Sequence, residues 1–273
     1  MKKVFSAIVC ALVLVSLVGC KKAEQASGGR LEKLKSAGKI VVYTNPEFPP
    51  YEYVGEGGKI VGCEIDIVHK IADRIGVEAE LVSAEFDSII GAVQAGKADL
   101  GASGFTINDE RKEKVDFSDP FIVSVQYLVI PENSPIAKVE DFAGKKIAGQ
   151  NGTTGFMMVE DAINKGILKG KGTELKSYNN APDAVVAMKN GQADAVVIDE
   201  LVAQMLAKKN PGMKTIPMVK ADGQGLDAPE EFGMIVAKGN QDIIDIINEV
   251  IKEMKADGSL TKSFEVHQEA SSK

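Results

Sequence analysis

Apolar positions along this chain fall into short runs with two alternating spacings. Lys39–Tyr43 (KIVVY) is rich in β-branched residues and reads as a buried strand, followed by turn chemistry at Asn45–Pro50. Across Glu64–Ile75, Ile65, Val68, Ile71 and Ile75 share one helical face, and Gly76 is the expected stop. The pattern then predicts a strand around Glu78–Val82, a helix over Ser88–Ala95 closed by Gly96, and a strand over Ala98–Ala102. Lys145–Ala148, Ala195–Ile198 and Gly233–Ala237 read as further strands. Gln241–Ala256 sets Ile243, Ile244, Ile247, Val250, Ile251 and Met254 at helical spacing. Alternating β and α elements predict mostly parallel sheets covered by helices, an α/β fold.

One pattern occurs twice. Ala92–Asp99 and Ala187–Asp194 both read A-x-x-x-G-x-A-D, and both join a helix end to a strand. The spacing suggests two lobes of similar build, although a glycine stop before a strand also recurs by chance. Ligands of open α/β sheets gather beyond the carboxyl ends of strands, so the segments after Leu100 and Val197 are the ones to inspect.

The amino terminus follows a different pattern. Met1, Lys2 and Lys3 precede an apolar run from Val4 to Val18, too short to span a bilayer comfortably and suited to an export signal. The run ends in Leu17-Val18-Gly19-Cys20, which resembles a bacterial lipobox. That resemblance implies a signal peptide over 1–19, cleavage before Cys20, and lipidation of that cysteine by acyl chains such as palmitate. A plain signal peptide with a stray cysteine is the competing reading. Residues 20–30 then form the lipidated cysteine and a polar, glycine-ending tether. Of three cysteines, only Cys63 would remain as a thiol in the mature chain, so no intrachain disulfide is available and stability must come from the cores.

The chain has 273 residues, with 39 Asp and Glu against 32 Lys and Arg. This acidic balance argues against a general nucleic-acid binder, which needs a basic footprint. His69 and His267 are the only histidines, and both read as surface residues. No G-x-S-x-G, H-E-x-x-H, C-x-x-C, P-loop or G-x-G-x-x-G motif occurs. No catalytic residue, cofactor or metal is expected.

Candidate binding chemistry lies in four loops. Gly101–Arg111 combines small residues, which let a ligand approach the backbone, with a helix capped by Thr106 or Asn108 and the planar fork of Arg111. That suits a carboxylate. A surface helix with Arg111 paired to Glu110 or Asp116 explains the same residues. Asp199 ends a strand and could receive an ammonium, or simply cap the next helix. Gln150–Gly155 is a polar turn into a helix. Phe48, in the proline-rich loop, and Phe86, in another loop, could sandwich an apolar stem or belong to the core.

These segments occur together in a known order. Asn45–Tyr53, Gly62-Cys63-Glu64-Ile65-Asp66, Gly96–Leu100, Thr106–Arg111, Val115–Phe121, Gly144–Ile147, Gly152-Thr153 and Gly191–Asp194 resemble family three of the bacterial extracellular solute-binding proteins, the amino-acid receptors of ABC importers. The resemblance covers roughly 31–260. It implies a two-lobed, periplasmic-binding-protein-like fold of type II. Lobe 1 would be 31–120 plus 233–273, lobe 2 126–227, and the hinges 121–125 and 228–232. It implies that Arg111 grips a ligand α-carboxylate, helped by Ser103, Gly104 and Thr106, and that Asp199 takes the α-ammonium. Thr154 would add a donor from the second lobe. Phe48 and Phe86 would sandwich the ligand, and Asn45 and Gln150 would read its side chain.

Cys63 departs from the family, which usually has a bulky residue there; looser packing or a ligand-linked thiol is expected. The implied partners are a free polar amino acid, neutral or cationic, an ABC permease, and a membrane reached through the lipid anchor. The protein would be a monomer outside the cytoplasm. An exported lyase resembling the cyclohexadienyl dehydratases is the rival on the same fold, and a sensory ligand-binding module is a third reading.

Overall fold

The computed structural model describes residues 29–226 and 228–272. The expected signal peptide over 1–19, Cys20 and nearly all of the expected tether lie outside the described residues. The chain begins with helix α1 (Arg30–Ala37) and strand β1 (Lys39–Thr44). A small antiparallel sheet is inserted next: β2 (Glu47–Phe48), β3 (Glu52–Val54) and β4 (Ile60–Val61). Then follow α2 (Cys63–Ile75), β5 (Glu78–Ser83), α3 (Phe86–Gln94), β6 (Leu100–Gly101), α4 (Asp109–Lys114) and β7 (Val115–Phe117). Strand β8 (Ile122–Ser124) leaves this lobe.

The second lobe holds β9 (Gln126–Pro131), β10 (Lys146–Gln150), α5 (Thr154–Asn164), β11 (Glu174–Tyr178), α6 (Ala181–Lys189), β12 (Ala195–Asp199), α7 (Glu200–Lys209) and β13 (Met213–Pro217). The chain returns through β14 (Glu230–Phe232) to β15 (Ile235–Ala237), and ends in α8 (Gln241–Ala256) and α9 (Ser259–Ala270). Strands β8 and β14 pair antiparallel and form a ribbon between the lobes.

The first lobe's sheet runs β5-β1-β6-β15-β7 and the second's β11-β10-β12-β9-β13. In the first lobe, the apolar stripes of α2 and α8 (Ile67, Val68, Ile71; Ile247, Val250, Ile251) cover one face. The stripe of α3 (Phe86, Ile89, Val93) covers the other, against Phe105, Val115 and Ile235. The second lobe buries Val159 and Ala162 of α5 with Phe142, Ile147 and Val197. Ala184, Val185 and Met188 of α6 lie in the larger cluster with Val196 and Ile198.

Three expectations need correction. Phe86 is the first residue of α3, not a loop residue. Ser88 resembles a cap, but its hydroxyl donates back to the Glu85 carbonyl at 2.7 Å inside a helix that has already begun. The strand predicted over Ala98–Ala102 shrinks to Leu100–Gly101, because Asp99 occupies the ladder position with its side chain: its carboxylate accepts the Val41 N–H at 2.8 Å. His267 is half-buried rather than a free surface residue, bonded to the Tyr53 hydroxyl and Asp66. Cys63 is fully buried in the core and does not line the cleft, which leaves its side chain a packing role.

Candidate functional site

Among the described residues, a narrow cavity lies between the lobes, with about 10 Å³ of free space, room for about one water. Asn45, Phe48, Phe86, Ser103, Gly104, Thr106, Arg111, Gln150, Thr154 and Asp199 all line it, and Thr153 joins them. These residues come from five loops and strand ends far apart in sequence. They meet because both sheets aim the carboxyl ends of their parallel strands at the cleft.

Arg111 is 5% exposed and makes no ion pair with Glu110 or Asp116, whose partners are Lys114 and Lys238. Its backbone N–H closes the Asn108 cap at 2.9 Å, which orients the side chain inward. Nη1 donates to the Thr106 carbonyl and Nη2 to the Gly152 carbonyl across the cleft, each at 3.0 Å. The guanidinium carbon lies 5.5 Å from the centre of the Phe86 ring and 5.6 Å from that of Phe105, and the two rings stack at 4.8 Å. Phe86 therefore supports the arginine as well as lining the cavity. Burial pulls the Arg111 pKa to about 10, so it remains cationic at neutral pH.

Behind this wall lies an acid pair that sequence reasoning missed. Glu52 and Glu64 are fully buried and hydrogen-bonded to each other. Burial, and then the charge of Glu64, push Glu52 well above the usual carboxylate range, while burial takes Glu64 to about 7. Glu52 carries the shared proton. The pair ties down the cleft loop: Glu52 Oε1 accepts from Ser103 Oγ at 3.1 Å, and Glu64 Oε2 accepts from Gly104 N at 2.8 Å. The Gly104 amide thus points away from the cavity, unlike the role the resemblance implies. Gly104 also has φ +60°, and a Cβ there would stand 2.7 Å from Phe48 Cε1.

Asp199 is 4% exposed at the end of β12. Although it occupies the cap position of α7, its side chain makes no capping bond, so the carboxylate serves the cleft instead. Gln126 Nε2 donates to it at 3.1 Å. Burial, and then the charge of Glu230, raise its pKa to about 8. Gln126 and Glu230 were not singled out from sequence; Gln126 opens β9 just after ribbon strand β8, Glu230 opens ribbon strand β14, and a polar residue at a strand end gives no signal of its own.

The lobes meet over the cavity. Gln150 Nε2 donates to Asn45 Oδ1 at 3.0 Å, and the Thr106 and Thr154 hydroxyls lie 3.3 Å apart. Thr154 opens α5, whose first amides have no partner within the helix. At the rim, Asn151 donates to Asp87. A buried cation from one side and a buried acid from the other therefore face a closed space.

Two α/β lobes joined by a two-stranded ribbon, with a buried guanidinium and a buried acid lining the cavity between them, are the architecture of a solute-binding protein. A model of the bacterial extracellular solute-binding proteins, family 3, matches residues 40–268, and the chain belongs to that family. The L-cystine-binding protein TcyJ of Escherichia coli (strain K12) is 29% identical over 256 residues, covering 93% of this chain and 91% of that protein. A probable histidine-binding protein of Campylobacter jejuni is 31% identical over 271 residues, covering 97% and 100%. Among solved structures, the amino acid ABC transporter substrate-binding protein AbpA of Streptococcus pneumoniae, bound to L-arginine, matches with a TM-score of 0.81. It is 31% identical, covering 89% of this chain and 99% of that one.

Proposed function

We propose that this protein captures one free L-α-amino acid between its lobes and delivers it to the permease of an ABC importer. The observation that carries this reading is the pairing of a buried guanidinium, Arg111, with a buried acid, Asp199, on one cavity. An amino acid is a zwitterion, and burying it unpaired would be prohibitive. Arg111 takes the α-carboxylate, with Thr106 and Thr154 beside it, and Asp199 takes the α-ammonium. Cystine, histidine and arginine, the ligands named for the similar proteins, differ in side chain and share this head group. Asn45 and Gln150 face the side chain with amides rather than charges, and Phe48 and Phe86 flank its stem. Both charged contacts form only when the lobes close, so the ligand favours the closed state by differential contact. The β8–β14 ribbon is the hinge, over 121–125 and 228–232, joining lobe 1 (31–120 and 233–273) to lobe 2 (126–227).

The protein acts as a receptor without turnover, outside the cytoplasm, as a monomer held to a membrane through lipidated Cys20. The support for the anchor is the basic start, the apolar run and the Leu17–Cys20 motif. Among the described residues no helix is long and apolar enough to cross a membrane. A thermal-shift screen of the twenty standard amino acids with L-cystine, ornithine and citrulline tests the reading. One of them raises the melting temperature, because a ligand that binds only the native state stabilises it. A flat response to all of them rejects it.

A further inference from the structure

Glu230 is not among the ten cleft residues, yet it is wired into them. It opens β14, is 5% exposed, and its Oε2 accepts two hydrogen bonds. One comes from Gln126 Nε2 at 3.0 Å and the other from Thr106 Oγ1 at 3.3 Å. The same Gln126 nitrogen gives its second hydrogen to Asp199 Oδ1. An amide turned the other way would aim its oxygen at two carboxylates, so the acids dictate its orientation. The Gln126 oxygen packs instead against the start of α5, where a Cβ on Gly155 would stand 2.1 Å from it. Thr106 also faces Thr154. A chain of contacts thus runs Thr154, Thr106, Glu230, Gln126, Asp199, from lobe to lobe through the ribbon.

Two carboxylates bridged by one neutral amide repel each other where little water screens them. The groups around Asp199 are Glu230, Arg111 from the facing lobe, Tyr51 and Glu52 from the inserted hairpin, and Glu64 behind Glu52. Glu200, the next residue, turns to Gln204 and Tyr127. Arg111 is the one cation among these groups. Glu230 Oε1 is buried without a hydrogen-bond partner, so one oxygen of this carboxylate has no donor.

We propose that Glu230 is a positioning residue of the ammonium subsite: through Gln126 and Thr106 it holds Asp199 for a cationic nitrogen, and its charge makes amino-acid capture expel a proton from Asp199. The step balances simply. The Asp199 carboxylic acid gives one proton to solvent, and the carboxylate left behind accepts an N–H of the incoming ammonium. The inference rests on the reading of Asp199 as the ammonium partner. Below the Asp199 midpoint in the uncomplexed protein, affinity falls with falling pH, approaching about tenfold per unit.

Two measurements on the full chain test it. The first uses no amino acid: carbon NMR follows the Asp199 carboxyl through a pH titration in the wild type, Glu230→Gln and Glu230→Asp. The Gln variant moves the midpoint down by about one unit or more, and the Asp variant keeps it high. The second is calorimetry at pH 6.5 in phosphate and in Tris, titrating with the standard L-amino acids and L-cystine. The buffer difference reads close to one proton released per amino acid in the wild type, and clearly less in Glu230→Gln. An unchanged Asp199 midpoint overturns the proposal. So does weaker binding in Glu230→Gln with unchanged proton release, which marks a merely structural prop. If no amino acid binds, the receptor reading and the proton-release claim fall together, while the carboxyl titration still decides whether Glu230 acts on Asp199.

Discussion

The two lobes are one folding unit built twice, and they differ in where they bury negative charge. Each sheet has three parallel strands, β5-β1-β6 or β11-β10-β12, then a fourth antiparallel to them, β15 or β9, and a fifth antiparallel to the fourth, β7 or β13. In each, the fourth strand is the one laid down on arrival from the other lobe, directly after a ribbon strand. Lobe 1 inserts the β2–β4 sheet after its first strand and hides Glu52 and Glu64 behind the cleft wall. Lobe 2 has helix α5 directly after β10, and its acid, Asp199, stands on the wall itself. The hidden pair is satisfied by sharing a proton. The acid on the wall needs a cation from outside. A buried acid thus serves as scaffold or as site according to whether a second acid or a cavity faces it.

Removing the facing charges gives the largest expected effect. Arg111→Ala and Asp199→Ala each weaken amino-acid binding by about 2–5 kcal/mol, roughly 30-fold to several thousand-fold, because each strands one end of a buried zwitterion. Calorimetry with an amino acid found in the screen measures it. Unchanged affinity in either variant would dissolve the contrast between wall and scaffold.

The hidden pair predicts a pH effect on stability rather than on binding. Glu64 titrates at about 7 in the fold against 4.5 for a free side chain, so the folded protein holds the extra proton between those values. Stability from this group is present below pH 4.5 and is lost as pH rises through 7, by on the order of 3 kcal/mol. Asp199 contributes in the same direction up to about 8, so the useful quantity is the difference between wild type and Glu64→Gln. Urea unfolding from pH 4.5 to 7.5 should give a shallower decline in the variant. Parallel curves would mean that burial does not raise the titration of Glu64 in the fold.

These two regions were not equally legible in the sequence. Ten of the eleven cavity-lining residues are legible in the sequence, because polar and aromatic loops after strands stand out and because those segments resemble a known family; Thr153 is not. Glu52 opens β3 just after a proline-rich turn, and Glu64 lies on the first turn of a helix, where an acid is normally solvated. Only three-dimensional proximity makes them a pair. Gln126 opens the apolar strand QYLVIP, where one polar residue reads as a strand end, and Glu230 belongs to the short strand EEF, whose acids read as solvated. Helix α8 was delimited by its stripe, while the start of α3 was missed because Glu85 makes no side-chain cap.

The repeated A-x-x-x-G-x-A-D pattern gives the smallest and most direct comparison. Its two aspartates occupy equivalent positions: Asp99 accepts the Val41 N–H at 2.8 Å, and Asp194 accepts the Lys146 N–H at 2.7 Å. Each side chain anchors the middle strand of its parallel trio, β1 or β10, just before β6 or β12 begins, so the echo marks a shared folding device. The sites differ in surroundings. The Asp99 bond is partly buried and the side chain also pairs with Arg30, whereas the Asp194 bond is exposed and water can replace it. Asp99→Ala should therefore cost about 1–2 kcal/mol and Asp194→Ala about 0.5–1 kcal/mol in urea unfolding, with the denaturant slope unchanged in both. Equal costs would mean that burial does not set the strength of this contact. No cost at either site would leave the repeated pattern without a structural purpose.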